Sequence, residues 1–253
     1  MLAHAPQTID DVLVSLNLVL DDALRTGARI GYFAALYERV TSNVRRAIVA
    51  GTVFDDNARM TRLDVVFANR FLDAWDQHHR GEQPSACWQV AFAALDDSGP
   101  LVLQHLLLGM NAHINLDLGI AAATVAPTPQ SLEALWPDFM KISEVLARLT
   151  RVVEDELCQI CPRLQRAADL VTVEDRLFSF GIDKARDLAW AFASQLVATP
   201  QSQWKGPIKA RDDLTAAAGR ALYPLHGLAG GVVRSIHEDE STDIRFNIQV
   251  VAE

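Results

Sequence analysis

The chain has 253 residues, enough for one large domain or two small ones. Half of the residues are hydrophobic and 22% are charged, a balance typical of a protein with a substantial core. The formal net charge of -9 argues against a nucleic-acid partner, whose phosphates require a basic surface, and against adhesion to anionic membranes.

The first residues, MLAHAPQTIDD, lack the basic start and apolar run of a signal peptide. No uncharged apolar run reaches the length of a membrane span. The cysteines are only Cys87, Cys158 and Cys161, a usage that suits a reducing compartment. We therefore expect a cytoplasmic protein that has no membrane partner, and the oligomeric state stays open.

Helical periodicity dominates the first third of the chain. The first predicted helix has Thr8 as its N-cap with Asp11 three residues later, and it closes at Gly27. A second helix, RIGYFAALYERVTSNVRRAIVAG, repeats apolar residues at intervals of four and ends before Gly51. A third, DDNARMTRLDVVFANRFLDAWDQHH, stops before Gly81. These boundaries follow from glycine, which favours the backbone turn that ends a helix.

The middle of the chain contains the most apolar helical segment. After a short helix from about Pro84 to Leu95, residues 105–119 read HLLLGMNAHINLDLG. On a helical wheel this segment is apolar nearly all round, which is typical of a helix surrounded by other helices. We therefore predict a central buried helix over about residues 100–123.

Further helices are predicted in the second half. One runs from Ser131 to about Cys161 and is expected to bend or restart at Pro137. Another begins at Thr172, and a last helical region covers Ile208 to His237. In the tail, residues 239–253, apolar residues alternate, which favours an extended conformation. The sequence predicts an all-α fold, a helical bundle forming a single domain over residues 1–253.

Polar residues on the central helix form two lines. His105, Gly109, His113 and Asp117 are spaced by four and share one ridge, whereas Asn111 and Asn115 lie on a second, narrower line. His113 and Asp117 are close enough to face one point. Gly109 leaves room for a neighbouring helix, a water molecule or a ligand. Buried polar groups need partners, so the two lines indicate two polar contacts.

Three stretches resemble bacterial domain-of-unknown-function family 5995. GMNAHINLDL resembles its GMNAHIN-x-DL motif, LDVVFAN matches a second segment, and DKARDLAW resembles its AR-x-x-AW segment. The resemblance extends from about Tyr32 to Leu196, and it implies a bacterial origin and no agreed activity. The positions it picks out as ligand-binding or polar-network candidates are Asp64, Asn69, Asn111, His113, Asn115, Asp117, Arg186 and Trp190. His105 lies outside the motif.

The third segment suggests contacts for an arginine. Arg186 and Trp190 are four residues apart on a predicted helix, so the cation can lie over the indole ring. Arg186 is also suited to a buried bidentate pair with Asp64 or Asp117, which would lock two helices together. We expect Trp190 to belong to the hydrophobic core.

The first functional hypothesis is a metal-assisted hydrolase. His113 and Asp117 would bind a divalent metal such as zinc, because a helical His-x-x-x-Asp pair presents both side chains to one point. A catalytic zinc takes three protein ligands, so further ligands would come from His105, Asp64 or His226.

Two other hypotheses remain open. In the second, the protein binds a small molecule without chemistry, and Asn111, Asn115 and Arg186 recognise the ligand in a pocket between helices. In the third, the polar residues form a buried hydrogen-bond network that fixes the register of the helices. Independently of these hypotheses, we predict that Asn111 is buried and hydrogen-bonded at both ends of its amide.

Overall fold

The computed structural model describes residues 5–162, 182–224 and 227–253, and these residues contain helices and no strand. The all-α prediction is confirmed; the helix start predicted at Thr172 lies outside the described residues. The α-helices are α1 (Ile9–Thr26), α2 (Ile30–Ala50), α3 (Asn57–His79), α4 (Ala86–Ala93), α5 (Val102–Ala112), α6 (Leu118–Val125), α7 (Pro129–Ile160), α8 (Ile182–Val197), α9 (Lys205–Leu222), α10 (Gly227–His237) and α11 (Ile244–Ala252).

The first two helices form a hairpin whose ends match the prediction. The Thr8 hydroxyl accepts from the Asp11 N–H, and the Asp11 carboxylate accepts from the Thr8 N–H, which completes a capping box. Gly27 has a φ of 71° and donates its N–H to the carbonyl of Ala23. This left-handed conformation suits glycine and lets the chain turn directly into α2.

A central helix, Val102–Val125, consists of α5, one π-helical turn at His113–Asp117, and α6. Helices α2, α3, α4, α8 and α9 pack around it. Its length and composition would also allow it to cross a membrane, but 94% of its most apolar window is buried inside the protein. The same composition is typical of a core helix, so the predicted central buried helix is confirmed.

Two glycines of the central helix allow neighbouring helices to pack directly against its backbone. A Cβ atom at Gly109 would lie 2.4 Å from Cδ2 of Phe33 on α2. A Cβ atom at Gly119 would lie 2.8 Å from the carbonyl oxygen of Ala189 on α8. Real carbon atoms do not approach so closely, so the space predicted at Gly109 is filled by a helix.

In the second half, one prediction was wrong and another keeps only one of its alternatives. Helix α7 begins with Pro129 and continues through Pro137 to Ile160, so it does not restart at Pro137, and a bend there stays a prediction. The tail, residues 239–253, is not an extended strand, because Ile244–Ala252 form α11. The Asp243 carboxylate accepts from two backbone N–H groups of the first turn, which starts the helix.

A buried ion pair joins helices that are distant in sequence. Arg39 on α2 donates to both oxygens of Glu156 on α7, at 2.6 and 2.9 Å, and to the carbonyl of Val251 on α11, at 2.7 Å. The bidentate geometry matches the guanidinium to the carboxylate. One arginine therefore holds three helices together.

Candidate functional site

The motif residues lie where the central helix changes its winding. Over His113–Asp117 the backbone forms a π-helical turn, in which the Leu118 N–H donates to the carbonyl of His113, five residues back. Such turns are rare and occur frequently at functional sites. The turn widens the helix at the point where the sequence is most polar.

Asp117 lies at the centre of a network drawn from three helices. Its Oδ1 accepts from Nε of Arg70 at 3.1 Å, and its Oδ2 accepts from Nε1 of Trp88 at 2.8 Å and contacts Nδ1 of His113 at 3.1 Å. Burial alone would raise the pKa of Asp117, but the bond from His113 and the charge of Arg70 hold it below its ordinary value. Asp117 is therefore ionised and accepts from each of these groups.

His113 is oriented by this carboxylate. Because ionised Asp117 can only accept, Nδ1 of His113 carries a proton and Nε2 has a free lone pair. Burial lowers the pKa of His113, so the ring is neutral at pH 7. The ring of Phe67 stacks on the imidazole at 3.6 Å between centroids. Nε2 is buried and has no hydrogen-bond partner among the described residues.

Two further side chains with unpartnered polar atoms lie near His113. The Tyr37 ring is 4.6 Å from the His113 ring, and its hydroxyl is buried without a hydrogen bond in the described part of the chain. Burial raises the pKa of Tyr37, and the charges of Asp64 and Asp117 raise it further, so both carboxyl groups lie near the phenol. Burial also raises the pKa of Asp64 to about 7. Its Oδ2 is likewise buried and unpartnered in the described ranges.

The asparagines form a separate ladder on the other line of the central helix. Nδ2 of Asn111 donates to the carbonyl of Thr215, and Oδ1 of Asn111 accepts from Nδ2 of Asn115. Asn111 is therefore bonded at both ends of its amide, as predicted. Arg211, one turn before Thr215 on α9, donates from Nε to the carbonyl of Asn115 at 2.7 Å.

Other predicted site residues lie outside this centre. Asn69 donates to the carbonyl of Pro6 near the start of α1. Arg186 pairs with its neighbour Asp187 at 2.9 Å, and the predicted pair with Asp64 or Asp117 is wrong, since the arginine on Asp117 is Arg70.

The indole of Trp190 packs between Trp136 and Phe139, at 4.7 and 4.9 Å between ring centroids. These contacts join α8 to α7. Trp190 is half-buried and packs against the hydrophobic core.

Of the three predicted metal ligands, His113 and Asp117 are in contact and His105 lies apart from them. His105 is eight residues before His113, about 12 Å along the helix axis, and its ring lies 5.6 Å from that of Tyr32. The two histidines therefore cannot share one ion. In the described ranges no three histidine, cysteine or acidic side chains are grouped so as to hold a metal, and His226 lies outside those ranges.

An open pocket of about 400 Å³ lies elsewhere, at the turn between α1 and α2. Arg29, Trp75, His78, His79 and Asp96 contribute to its lining. None of the motif residues lines it. Tyr37, Asp64 and His113, whose polar atoms lack hydrogen-bond partners among the described residues, are thus buried and do not line this open pocket.

Sequence reasoning missed Tyr37, Phe67, Arg70, Trp88 and Arg211. One signal was present: Asp64 and Phe67 are three residues apart, so the resembling segment LDVVFAN places both on one face of α3. Arg70 continues that face. The contacts of Trp88 and Arg211 depend on how distant helices pack and leave no local pattern.

The comparisons with known proteins give one match. The profile of a family of unknown function, DUF5995, matches residues 9–224, which include the central helix and the polar residues around His113. No curated protein and no solved structure matches the chain. Because the profile covers most of the sequence, from α1 to the end of α9, the chain belongs to family DUF5995.

Proposed function

We propose that this protein binds a small, uncharged, polar molecule in its interior, at a polar centre formed by Tyr37, Asp64 and His113. One observation carries the proposal. The three side chains belong to residues that are only 4%, 8% and 3% exposed, and each has a buried polar atom without a hydrogen-bond partner among the described residues. Leaving one such group unsatisfied costs about 1–3 kcal/mol, so three of them together call for a partner.

Tyr37 on α2 lies beside His113 of the central helix and near Asp64 on α3. The Tyr37 and His113 rings are 4.6 Å apart, and the charge of Asp64 acts on the Tyr37 hydroxyl. Phe67, one turn after Asp64, stacks on His113. A molecule that contacts one of these groups is therefore positioned to reach the others.

The electrostatics of the polar centre favour a neutral ligand. His113 is neutral, and Asp64, with a pKa of about 7, is protonated in a large part of the molecules at neutral pH. The charge of Asp117 is offset by Arg70. A charged ligand would lose its hydration without gaining a counter-charge, which is costly in a buried site.

The hydrogen-bonding groups of the polar centre define the ligand further. Nε2 of His113 accepts, the Tyr37 hydroxyl can donate, and the Asp64 carboxyl can do either as it gains or loses its proton. The best match is a molecule that has both a donor and an acceptor, such as an amide or an alcohol. We also propose that the protein is cytoplasmic, as expected from the sequence.

A metal-assisted hydrolase at His113 and Asp117 is the second candidate, favoured by the contact between the two side chains. The donor set does not fit a catalytic zinc, which takes three protein ligands. Both oxygens of Asp117 are engaged, by Arg70 on one side and by Trp88 and His113 on the other. An uncharged ligand would bind the unpartnered polar atoms, whereas zinc bound by Asp117 would have to displace hydrogen bonds that this carboxylate already accepts.

The test compares two tyrosines that each lose only a hydroxyl. Tyr37→Phe removes a hydroxyl of the polar centre that has no hydrogen-bond partner among the described residues, and Tyr32→Phe removes one that lies outside the polar centre, near Asn247. Thermal unfolding of the wild type is measured with acetamide and with propane-1,2-diol as probes at pH 7.5. We expect a saturable rise in Tm for the wild type and for Tyr32→Phe, and none for Tyr37→Phe.

Three outcomes would contradict the proposal or redirect it. If neither probe gives a saturable shift and Tyr37→Phe melts higher than the wild type, the polar groups form a structural network. If both tyrosine variants respond equally to the probes, binding takes place elsewhere. Elemental analysis of the purified wild type decides the second candidate, because stoichiometric zinc that is lost in His113→Gln would replace the neutral-ligand site with a metal site.

A further inference from the structure

We propose a second binding site, on the opposite side of the central helix, where Arg211 and Asn115 bind a small hydroxycarboxylate. His113 and Asn115 are two residues apart, which is about 200° around a helix, so this anion site is separate from the polar centre at His113. It does not depend on the neutral-ligand proposal. Among the described residues, the guanidinium of Arg211 has no carboxylate as an ion-pair partner.

The guanidinium of Arg211 is held in a fixed orientation. Its Nε donates to the carbonyl of Asn115 in the π-helical turn at 2.7 Å, and its Cζ lies 5.6 Å from the centre of the Phe192 ring on α8. The hydrogen bond and the cation–π contact immobilise the group before any ligand binds. Such preorganisation lowers the entropic cost of binding.

The nearby acidic residues are engaged elsewhere. Asp212 accepts from the N–H groups of Ala86 and Cys87 at the start of α4, at 2.7 and 2.8 Å. Asp213 pairs with Lys209 at 2.6 Å. In the part of the chain that the structure describes, no carboxylate lies within ion-pair distance of Arg211, and burial lowers the pKa of this arginine. A desolvated cation of this kind is stabilised by an external anion.

Two orphaned polar atoms define the ligand. Nη2 of Arg211 is a buried donor and Oδ1 of Asn115 a buried acceptor, and neither has a hydrogen-bond partner in the described ranges. Nδ2 of Asn115 already donates to Asn111, so the amide cannot rotate to change the role of Oδ1. A carboxylate satisfies the arginine, and a hydroxyl on the neighbouring carbon satisfies the asparagine. This combination selects a hydroxycarboxylate over a simple carboxylate.

The experiment uses the full chain with glycolate as the probe and with acetate and inorganic phosphate as comparators, at constant ionic strength. Titration calorimetry and Tm are measured for the wild type, Arg211→Gln and Arg220→Gln. Arg220 is an exposed arginine on the same helix and serves as the matched control. We expect saturable glycolate binding, weaker acetate binding, and a loss of affinity of at least about tenfold in Arg211→Gln alone.

A conservative variant keeps the test decisive if Arg211→Gln does not fold. Arg211→Lys retains the charge, but one ammonium cannot hold the Asn115 carbonyl and present the fixed second donor, so glycolate should bind several-fold more weakly. Equal glycolate affinity in the wild type and in both Arg211 variants would overturn the proposal. So would a shift that grows without saturation, or phosphate binding that exceeds glycolate binding.

Discussion

At the scale of single residues, the two buried aspartates near His113 differ in their partners. Asp117 receives hydrogen bonds from an arginine, a tryptophan and a histidine, and its pKa stays below the ordinary value. Asp64 lacks a bond to Oδ2 among the described residues, and burial raises its pKa to about 7. One carboxyl group is therefore a structural anion, whereas the other takes up a proton near neutral pH.

Asp64 should make the stability of the protein depend on pH. Its pKa is 3.8 in the unfolded chain and about 7 when folded, so the folded state binds more protons between these values. The contribution of Asp64 to the free energy of unfolding is therefore greatest below pH 4, and it falls as the pH rises to 7. A shift of this size corresponds to at most about 4 kcal/mol.

Urea unfolding of the wild type and of Asp64→Asn from pH 4 to 8 measures this contribution. The asparagine variant does not titrate, so we expect its stability relative to the wild type to rise across the window. Asp213→Asn, which alters an exposed carboxylate, controls for general effects of charge. If the curves of the wild type and Asp64→Asn run parallel, Asp64 does not bind the proton.

Local spacing predicted only some of the contacts of single residues. The pairing of His113 with Asp117 could be predicted because residues four apart share a helix face. The arginine that pairs with Asp117 could not, because Arg70 lies 47 residues away on another helix. Asp187, the neighbour that pairs with Arg186, lies within DKARDLAW at a position that the AR-x-x-AW pattern leaves open, so the pattern does not predict this pair.

At the scale of elements, the packing of the central helix depends on the absence of a side chain at Gly109. Gly109→Ala would place a Cβ 2.4 Å from Phe33, whose ring already contacts the rings of Tyr37, Phe71 and Trp88. We expect a loss of about 1–3 kcal/mol from overpacking. Chemical denaturation measures this loss against Gly206→Ala on α9.

Gly206 is a suitable control because nothing lies within 4 Å of its added Cβ. Alanine there should leave the stability unchanged or raise it slightly, since alanine is the better helix former. If both variants behaved alike, the close approach of α2 at Gly109 would not limit the packing.

Periodicity predicted the central helix but not its π-helical turn, because the same apolar pattern suits either winding. The tail shows the opposite error. Alternating Ile244, Phe246 and Ile248 suggested a strand, yet Phe246 is 43% exposed, and the buried residues Asn247, Ile248, Val250 and Val251 include pairs three and four apart, as on one face of a helix. The N-cap at Asp243 was the better signal.

At the scale of the whole molecule, the buried Arg39–Glu156 pair should be important for the tertiary structure, because it joins three helices. Glu156→Leu leaves the buried guanidinium without a counter-charge, and we expect a loss of about 3–5 kcal/mol. The double change Arg39→Met with Glu156→Leu should cost clearly less, because no charge is left unpaired. Thermal and urea unfolding of both variants test this.

The exposed pair of Lys209 and Asp213 is the control for that experiment. Its side chains are 68% and 54% exposed, so Asp213→Leu should cost less than about 1 kcal/mol. If the double change cost as much as Glu156→Leu or more, Arg39 and Glu156 would not act as a unit. The partners are 117 residues apart, and a long-range pair of this kind leaves no pattern in the sequence.

The contacts of α11 have a consequence for folding during synthesis on the ribosome. The Arg245 guanidinium donates to the carbonyl of Leu24, 221 residues earlier, and Ile248 fills the space beside Gly31. At roughly 5–20 residues per second, about 10 to 40 seconds pass between the completion of the α1–α2 hairpin and the synthesis of these residues. During that interval the surface of the hairpin that α11 later covers stays exposed to chaperones. The contact between α11 and the hairpin forms late and slowly, because it joins residues far apart in the sequence.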